Sequence, residues 1–111
     1  MAKRHDLRST FRTRLKEARA RLQMSQRDVG IKAGLDPFVA STRINRYELG
    51  VHEPDLATIE RLADAVKVPA TYLFAEDDRF AELISLFSTL DAMEREDLLK
   101  SLRLRHRPGF E

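Results

Sequence analysis

The sequence predicts an all-α protein, and three local patterns support that prediction. Apolar residues recur at intervals of three and four from Leu7 to Leu22, which is typical of one face of a helix. The segments 25–28 and 91–94 both have the residues of a capping box, with a carboxylate three positions after the N-cap residue. We therefore expect helices over residues 7–22 and helices that begin at positions 26 and 92.

Two short helices separated by a turn are predicted between Ser25 and Leu49. Gly30 lies inside the first and, having no side chain, would let a second helix cross close by. Gly34 supplies a left-handed residue that ends the first helix. The second helix then has a buried stripe of Ala40, Ile44 and Tyr47, which leaves Ser41, Thr42, Asn45 and Arg46 facing outward. This arrangement is a helix-turn-helix whose outer side chains can bond to bases and phosphates.

The charge is distributed unevenly along the chain. Residues 1–50 contain 12 Lys and Arg against 5 Asp and Glu, a net charge of +7, whereas residues 51–111 contain 8 against 13, a net charge of −5. The helix-turn-helix lies in the positive half. A basic face of this kind favours a polyanionic partner, because each neutralised phosphate releases counterions.

Several motifs follow one another in an order typical of one family. They are LKEAR at Leu15–Arg19, SQ at Ser25–Gln26, AGL at Ala33–Leu35, RYE with a following glycine at Arg46–Gly50, and the stretches Pro54–Ala63 and Val68–Phe74. With them, residues 14–75 resemble the phage-repressor-like (Xre/Cro) helix-turn-helix family. The resemblance implies a five-helix lambda-repressor-like DNA-binding bundle over residues 1–75. The pattern of the remaining residues predicts a C-terminal two-helix extension over residues 76–111.

The chain departs from the family at residues 36–40, where it carries an insertion before the second helix of the motif. Either that recognition helix gains about one turn, or the turn is a longer loop and Ser41 caps the helix. We favour the longer helix, because Asp36 and Pro37 suit the N-cap and first helical positions. Phe38 would then point outward, where it could contact a thymine methyl group, or it packs under the longer turn.

The resemblance also suggests roles for individual residues. It pairs Arg19 with Glu48, which would tie the first helix to the recognition helix, and it places Gln26 on DNA. We expect Gln26, Arg43 and His52 to contact phosphates. The base-reading side chains would be Ser41, Thr42, Asn45 and Arg46, with Asn45 suited to adenine and Arg46 to guanine by their donor and acceptor geometry.

The second half of the chain supplies core residues and a further apolar surface. A helix capped by Asp55 would bury Leu56, Ile59, Leu62, Ala63 and Val66, and a short helix near Pro69 would close the bundle. Two apolar faces then follow, formed by Phe80, Leu83, Ile84, Phe87 and Leu90 and by Met93, Leu98, Leu99 and Leu102. We expect a dimerisation hairpin, the alternative being that these helices cover the protein's own bundle.

These features predict a sequence-specific DNA-binding transcriptional regulator, specifically a repressor that binds double-stranded DNA at a palindromic operator as a homodimer. The alternative is an antitoxin or helical adaptor that binds a protein partner through residues 79–102. A third hypothesis is nonspecific nucleoid binding, which would show steep salt dependence and little sequence preference.

Other classes of function have little support in the sequence. There is no cysteine, and His5, His52 and His106 are too dispersed to form a metal site, so no metal, cofactor or enzymatic activity is expected. The basic, polar start and the lack of a long apolar stretch indicate a cytoplasmic protein with no membrane contact. All five arginines of the first helix are expected to be exposed, and residues 1–6 and 103–111 to be loose tails.

Overall fold

The computed structural model describes residues 6–106, and every regular element in that range is helical. The elements are α1 (Leu7–Arg21), α2 (Gln26–Lys32), α3 (Ala40–Leu49), α4 (Leu56–Ala65), a 3₁₀ helix (Ala70–Phe74), α5 (Asp78–Ser88) and α6 (Ala92–Arg105). The all-α prediction is confirmed, and the fifth helix of the bundle is a short 3₁₀ helix. Within residues 6–106 no helix combines the length and apolar character needed to cross a membrane.

Helix α1 supplies the centre of the core through Phe11, Leu15 and Ala18, which are buried. The predicted stripe is shorter than expected, because Leu7 and Leu22 at its two ends are exposed. The prediction that every arginine of α1 is exposed is wrong for Arg14, which is 4% exposed, and for Arg12 and Arg19, which are half-buried. The guanidinium of Arg14 donates hydrogen bonds to two backbone carbonyls just after the 3₁₀ helix, and these bonds offset the cost of burying the charge.

Local capping fixes the start of α2, as predicted. The Asp28 backbone N–H donates to Ser25 Oγ at 3.0 Å, and the Ser25 backbone N–H donates to Asp28 Oδ2 at 3.1 Å. The pKa of Asp28 is held below its usual value, mainly by the hydrogen bond from the Ser25 backbone and next by the one with the Ser25 hydroxyl. This capping therefore stabilises the fold at neutral pH, and the contribution is lost as pH falls through the lowered pKa of Asp28.

Gly30 lies where α2 crosses α3. A Cβ atom added at Gly30 would lie 2.6 Å from the Cβ of Ala40 and 2.9 Å from its Cα. These distances are well inside van der Waals contact, and Ala40 is itself fully buried. The close crossing of the two helices, predicted from the missing side chain, is confirmed.

Gly30→Ala is expected to lower the free energy of unfolding by about 1–3 kcal/mol, because the added methyl group overpacks the crossing. The sign is diagnostic, since Gly→Ala in the middle of an unobstructed helix stabilises by about 0.5–1 kcal/mol. Urea unfolding measures the change, with Lys32→Ala on the exposed side of α2 as the control. A gain of stability in Gly30→Ala would show that α2 and α3 do not cross as described.

The turn between α2 and α3 differs from the favoured prediction. Asp36 does not cap a longer helix; its Oδ1 accepts a hydrogen bond from the Phe38 backbone N–H at 2.8 Å, and its carbonyl accepts one from Val39 at 3.0 Å. These bonds close a turn over residues 36–39. Consequently α3 begins at Ala40, after Val39, and no side chain caps it. The longer-loop alternative holds, but without Ser41 as the cap.

Helix α4 and the 3₁₀ helix complete the core. Asp55 caps α4 by accepting a hydrogen bond from the Thr58 backbone N–H at 2.8 Å, as predicted. The prediction that Leu56 is a core residue is wrong, because it is 78% exposed at the first position of the helix. The core residues that these two helices bury are Leu62, Ala63, Ala65, Tyr72 and Leu73.

The last two helices leave much of their apolar surface uncovered. Helix α5 packs on the 3₁₀ helix and buries Ala81, whereas α6 packs extensively against no other described element. Arg95 joins them at the bend, donating to the carbonyls of Phe87 at 3.2 Å and Ser88 at 3.0 Å. Since α6 continues to Arg105, the loose tail predicted from residue 103 is wrong for residues 103–105; residues 1–5 and 107–111 lie outside the described range.

Candidate nucleic-acid interface

Helix α3 has one buried face and one exposed face. Ala40, Ile44 and Tyr47 pack into the core, and the exposed fraction of Ile44 is 0%. With that face fixed, helical spacing directs the remaining side chains to solvent. The structure places all the residues predicted to lie on this helix face at exposed positions: Ser41, Thr42, Arg43, Asn45 and Arg46.

Gln26, at the first position of α2, is brought against the exposed face of α3. Its Nε2 donates hydrogen bonds to Asn45 Oδ1 at 3.1 Å and to Glu48 Oε1 at 3.0 Å. In the described range no hydrogen bond uses Gln26 Oε1 or Asn45 Nδ2. The pair therefore presents one acceptor and one donor side by side, at the place where α2 begins and α3 is exposed.

Arg19 and Glu48 form a two-point ion pair between α1 and α3. Arg19 Nε donates to Glu48 Oε2 at 2.7 Å, and Arg19 Nη2 donates to Glu48 Oε1 at 3.0 Å. Only 5% of the Glu48 side chain and 17% of the Arg19 side chain are exposed. Arg19 also donates to the carbonyl of Met24 at 3.1 Å. The pair thus positions α3 and, through Glu48, orients Gln26.

Glu48→Ala is expected to lower the free energy of unfolding by about 3 kcal/mol, because it leaves the guanidinium of Arg19 without its partner in a largely buried place. Chemical denaturation measures this loss. The control is Glu53→Ala, which removes an exposed pair with Arg8 and should cost about 1 kcal/mol or less. Equal losses in the two variants would mean that the Arg19–Glu48 pair behaves as an ordinary surface pair.

Helices α2 and α3, which carry Gln26 and Asn45, also carry four exposed cationic side chains: Arg27, Lys32, Arg43 and Arg46. Within residues 6–106 none of the four takes part in an ion pair. Arg27 and Lys32 are not among the predicted contact residues, although both lie on a helix that the sequence predicts. Their charges add to those of α3, so the helix-turn-helix carries four exposed cationic side chains that form no ion pair within the described range.

Two further predicted features lie at the ends of α3. His52 is exposed just after the helix, where its backbone N–H points to the carbonyl of Arg46 at 3.4 Å. Phe38 lies just before the helix and is 98% exposed, so the prediction that it packs under the turn is wrong. The described residues contain no cluster of three or more His, Asp or Glu side chains that could hold a metal ion.

Comparison with known proteins shows that the chain is similar to helix-turn-helix transcriptional regulators. Residues 13–79, which include α2, the turn and α3, match the helix-turn-helix domain family. The chain is similar to the cryptic phage CTXphi transcriptional repressor RstR of Vibrio cholerae, with 28% identity over 79% of this chain and 80% of that protein. It is also similar to the solved structure of transcriptional regulator BswR, with a TM-score of 0.77, 40% identity, and coverage of 84% of this chain and 92% of that one.

Proposed function

Because this chain belongs to the helix-turn-helix family, we propose that it is a transcriptional regulator of the cytoplasm, and more narrowly a repressor that binds a palindromic DNA operator as a homodimer. The observation that carries this proposal is the exposed, cationic and amide-bearing face of α3, whose opposite face is locked in the core. A major groove about 12 Å wide admits one such helix.

We assign the contacts by chemistry. Asn45 and Arg46 have the donor and acceptor geometry to read adenine and guanine, and Ser41 and Thr42 are short polar side chains that suit either base. Gln26 and Arg43 would position the helix on phosphates, together with Arg27 and Lys32. The bond from Gln26 to Asn45 supports a further role, because it orients the Asn45 amide before DNA arrives.

The proposal of a homodimer is supported by the apolar surface of α5 and α6. Phe80 is 55% exposed and Met93 is 75% exposed, and each large apolar side chain left in water forgoes about 1.5–3 kcal/mol. The two helices line one open groove with Phe80, Leu83, Ile84, Phe87, Leu98, Leu99 and Leu102. We therefore assign residues 1–75 to DNA binding and residues 76–111 to dimerisation, with a second copy covering the groove.

Repression requires only that the protein occupy an operator that overlaps a promoter, since occupancy is enough to block transcription. The similarity to a phage repressor supports the same assignment. The exposed apolar groove also fits the alternative of an antitoxin or adaptor, in which a different protein would occupy it. The two hypotheses differ in whether α3 is needed for nucleic-acid binding.

Selection of binding sites from a random double-stranded DNA pool with the purified protein tests the proposal. We expect recovery of an inverted repeat whose half-sites lie about one helical turn apart. A reporter gene carrying the recovered site should then be transcribed less when the protein is present. If no sequence is enriched, and the affinity varies with salt concentration but not with DNA sequence, the protein binds the nucleoid nonspecifically.

Phe38→Ala is expected to lower the affinity for the recovered site by removing a contact with one thymine. The exposed ring precedes the groove-facing helix on a turn held by Asp36, so it can meet a thymine methyl group. Loss of that contact should cost about 0.8 kcal/mol, or about fourfold in affinity.

Uracil, which lacks the methyl group, provides the matched control on the DNA. Replacing the contacted thymine by uracil should weaken the parent protein and leave Phe38→Ala unaffected. If both proteins respond equally to every uracil substitution, Phe38 does not contact a thymine methyl.

A further inference from the structure

Arg14 is the one charged residue in the described part of the chain that is buried as a whole residue, backbone included, and its surroundings identify a role beyond packing. It projects from the middle of α1, with 5% of its side chain exposed. Its Nε donates to the carbonyl of Ala75 at 2.7 Å, and its Nη2 donates to the carbonyl of Glu76 at 2.9 Å. Its Nη1 lies 3.0 Å from Glu17 Oε1 and 3.0 Å from Asp78 Oδ1.

Three of these four acceptors belong to one segment, residues 75–78, where the chain leaves the bundle and enters α5. The guanidinium also lies 5.9 Å from the ring centre of Tyr72, on the 3₁₀ helix just before that segment. Burial alone would lower the pKa of Arg14, but the hydrogen bonds and charges of Glu17 and Asp78 outweigh it and raise the pKa. The side chain is therefore held in its charged form, with its donors directed at the joint between the bundle and α5.

The other contacts that fix the direction of α5 are few: it packs on the 3₁₀ helix and places the partly buried Ile84 against the core. Ala81 is the only residue of α5 that is buried, and α6 packs extensively against no described element. An apolar residue in place of Arg14 could fill the space but could not hold the two carbonyls and the carboxylate of the joint. The arginine thus fixes an angle that the sparse packing of α5 leaves weakly determined.

We propose that Arg14 is a positioning residue that fixes the angle between the DNA-reading helix and the C-terminal helices, and thereby the spacing of half-sites that the dimer accepts. The inference rests on the proposed function, a homodimer that reads two half-sites. Helix α5 has 11 residues and so is about 16 Å long. A rotation of about 20° at the joint would displace its far end by about 5 Å, more than the rise of about 3.4 Å per base pair.

The test compares Arg14→Met with two variants that each neutralise one of the carboxylates bonded to the same Nη1 atom. Asp78→Asn removes the negative charge across the joint, whereas Glu17→Gln removes the negative charge within α1. Both carboxylates lie 3.0 Å from Nη1, so the pair is matched in geometry and differs in whether the joint is spanned. Asp78 is 92% exposed at its side chain, so its variant is expected to fold even if Arg14→Met does not.

The angle itself is measured without DNA. Since the chain contains no cysteine, two introduced cysteines give a single pair of spin labels: Lys32→Cys on α2, and Leu86→Cys on α5, where the side chain is exposed and outside the groove. The labelled protein is diluted into unlabelled protein so that only distances within one chain are recorded. We expect a narrow distance distribution in the parent and in Glu17→Gln, and a broadened one in Arg14→Met and Asp78→Asn. A narrow distribution in folded Arg14→Met would overturn the proposal; if Arg14→Met does not fold, a narrow distribution in Asp78→Asn would do so.

The consequence for DNA is measured on palindromic duplexes whose central spacer is lengthened or shortened by one base pair. The parent should favour one spacing by about tenfold, and Arg14→Met should discriminate by less than about threefold while binding an isolated half-site as the parent does. Unchanged spacing preference in folded Arg14→Met would also overturn the proposal. If the parent binds no palindromic DNA, the proposed function fails, and the distance measurement still decides whether Arg14 fixes the angle.

Discussion

Leu98→Asp is expected to give a folded monomer that binds the palindromic operator about 10²–10⁴-fold more weakly than the parent protein. Leu98 lines the groove between α5 and α6, so a carboxylate there would be desolvated when a second copy covers the groove. The DNA-binding bundle should be unaffected, because α6 packs extensively against none of its described elements. The loss in affinity arises because two linked half-site contacts become one.

Light scattering measures the mass and fluorescence anisotropy measures the operator affinity of this variant. The matched control is Leu104→Asp, which introduces the same charge in the same helix at a position 88% exposed and outside the groove. The control should remain dimeric and bind as the parent does. If Leu98→Asp is still a dimer, the groove is not the dimer interface; if it is a monomer with full affinity, the operator is read by one copy.

Arg46→Ala is expected to lower affinity for the recovered operator by about 10–100-fold and to relax the preference at one base pair, because a bidentate contact to guanine is worth about 1–3 kcal/mol of discrimination. Arg46 is exposed on α3 and is in no ion pair within the described range, so its removal should leave stability nearly unchanged.

Arg43→Ala provides the comparison, since we assign Arg43 to phosphate. It should weaken binding to all sequences by a similar factor. It should also reduce the slope of log affinity against log salt concentration by about 1, which corresponds to one released counterion. Anisotropy titrations against a panel of single-base operator variants separate the two effects. Uniform weakening in Arg46→Ala would assign Arg46 to a phosphate as well, and unchanged affinity would remove it from the interface.

The starts of most helices could be predicted because their determinants are local. Ser25 with Asp28, and Asp91 with Glu94, satisfy each other's backbone amides within four residues, so no tertiary contact is needed to place those ends. The same holds for Asp55 at the start of α4. The buried face of α3 could likewise be predicted, because helical spacing alone joins Ala40, Ile44 and Tyr47.

The turn before α3 could not be settled locally. Asp36 followed by Pro37 suits a helix start, yet the same carboxylate can bond to the amide two residues on and close a turn. The structure uses the second option, with Phe38 as the donor. The choice depends on where α3 must lie to cross α2 at Gly30, and that crossing is a tertiary constraint.

The errors in burial have the same origin. Arg14 has the spacing of a core residue, three positions after Phe11 and four before Ala18, but its charge predicts exposure; it is buried because acceptors of residues 75–78 pass beside it. Leu56 has the spacing of a core residue, yet it lies at the first position of α4, beyond the edge of the bundle. Likewise the contact of Gln26 with Asn45 joins residues 19 positions apart, which no local pattern indicates.

A nuclear magnetic resonance titration of the isotope-labelled protein with the selected operator duplex tests the central claim most directly, because it reports which residues change environment. We expect the largest shifts at the amides of Gln26 and residues 41–46, and at the side-chain amide of Asn45. Shifts confined to α5 and α6, with none on α3, would show that the exposed face of α3 does not read DNA.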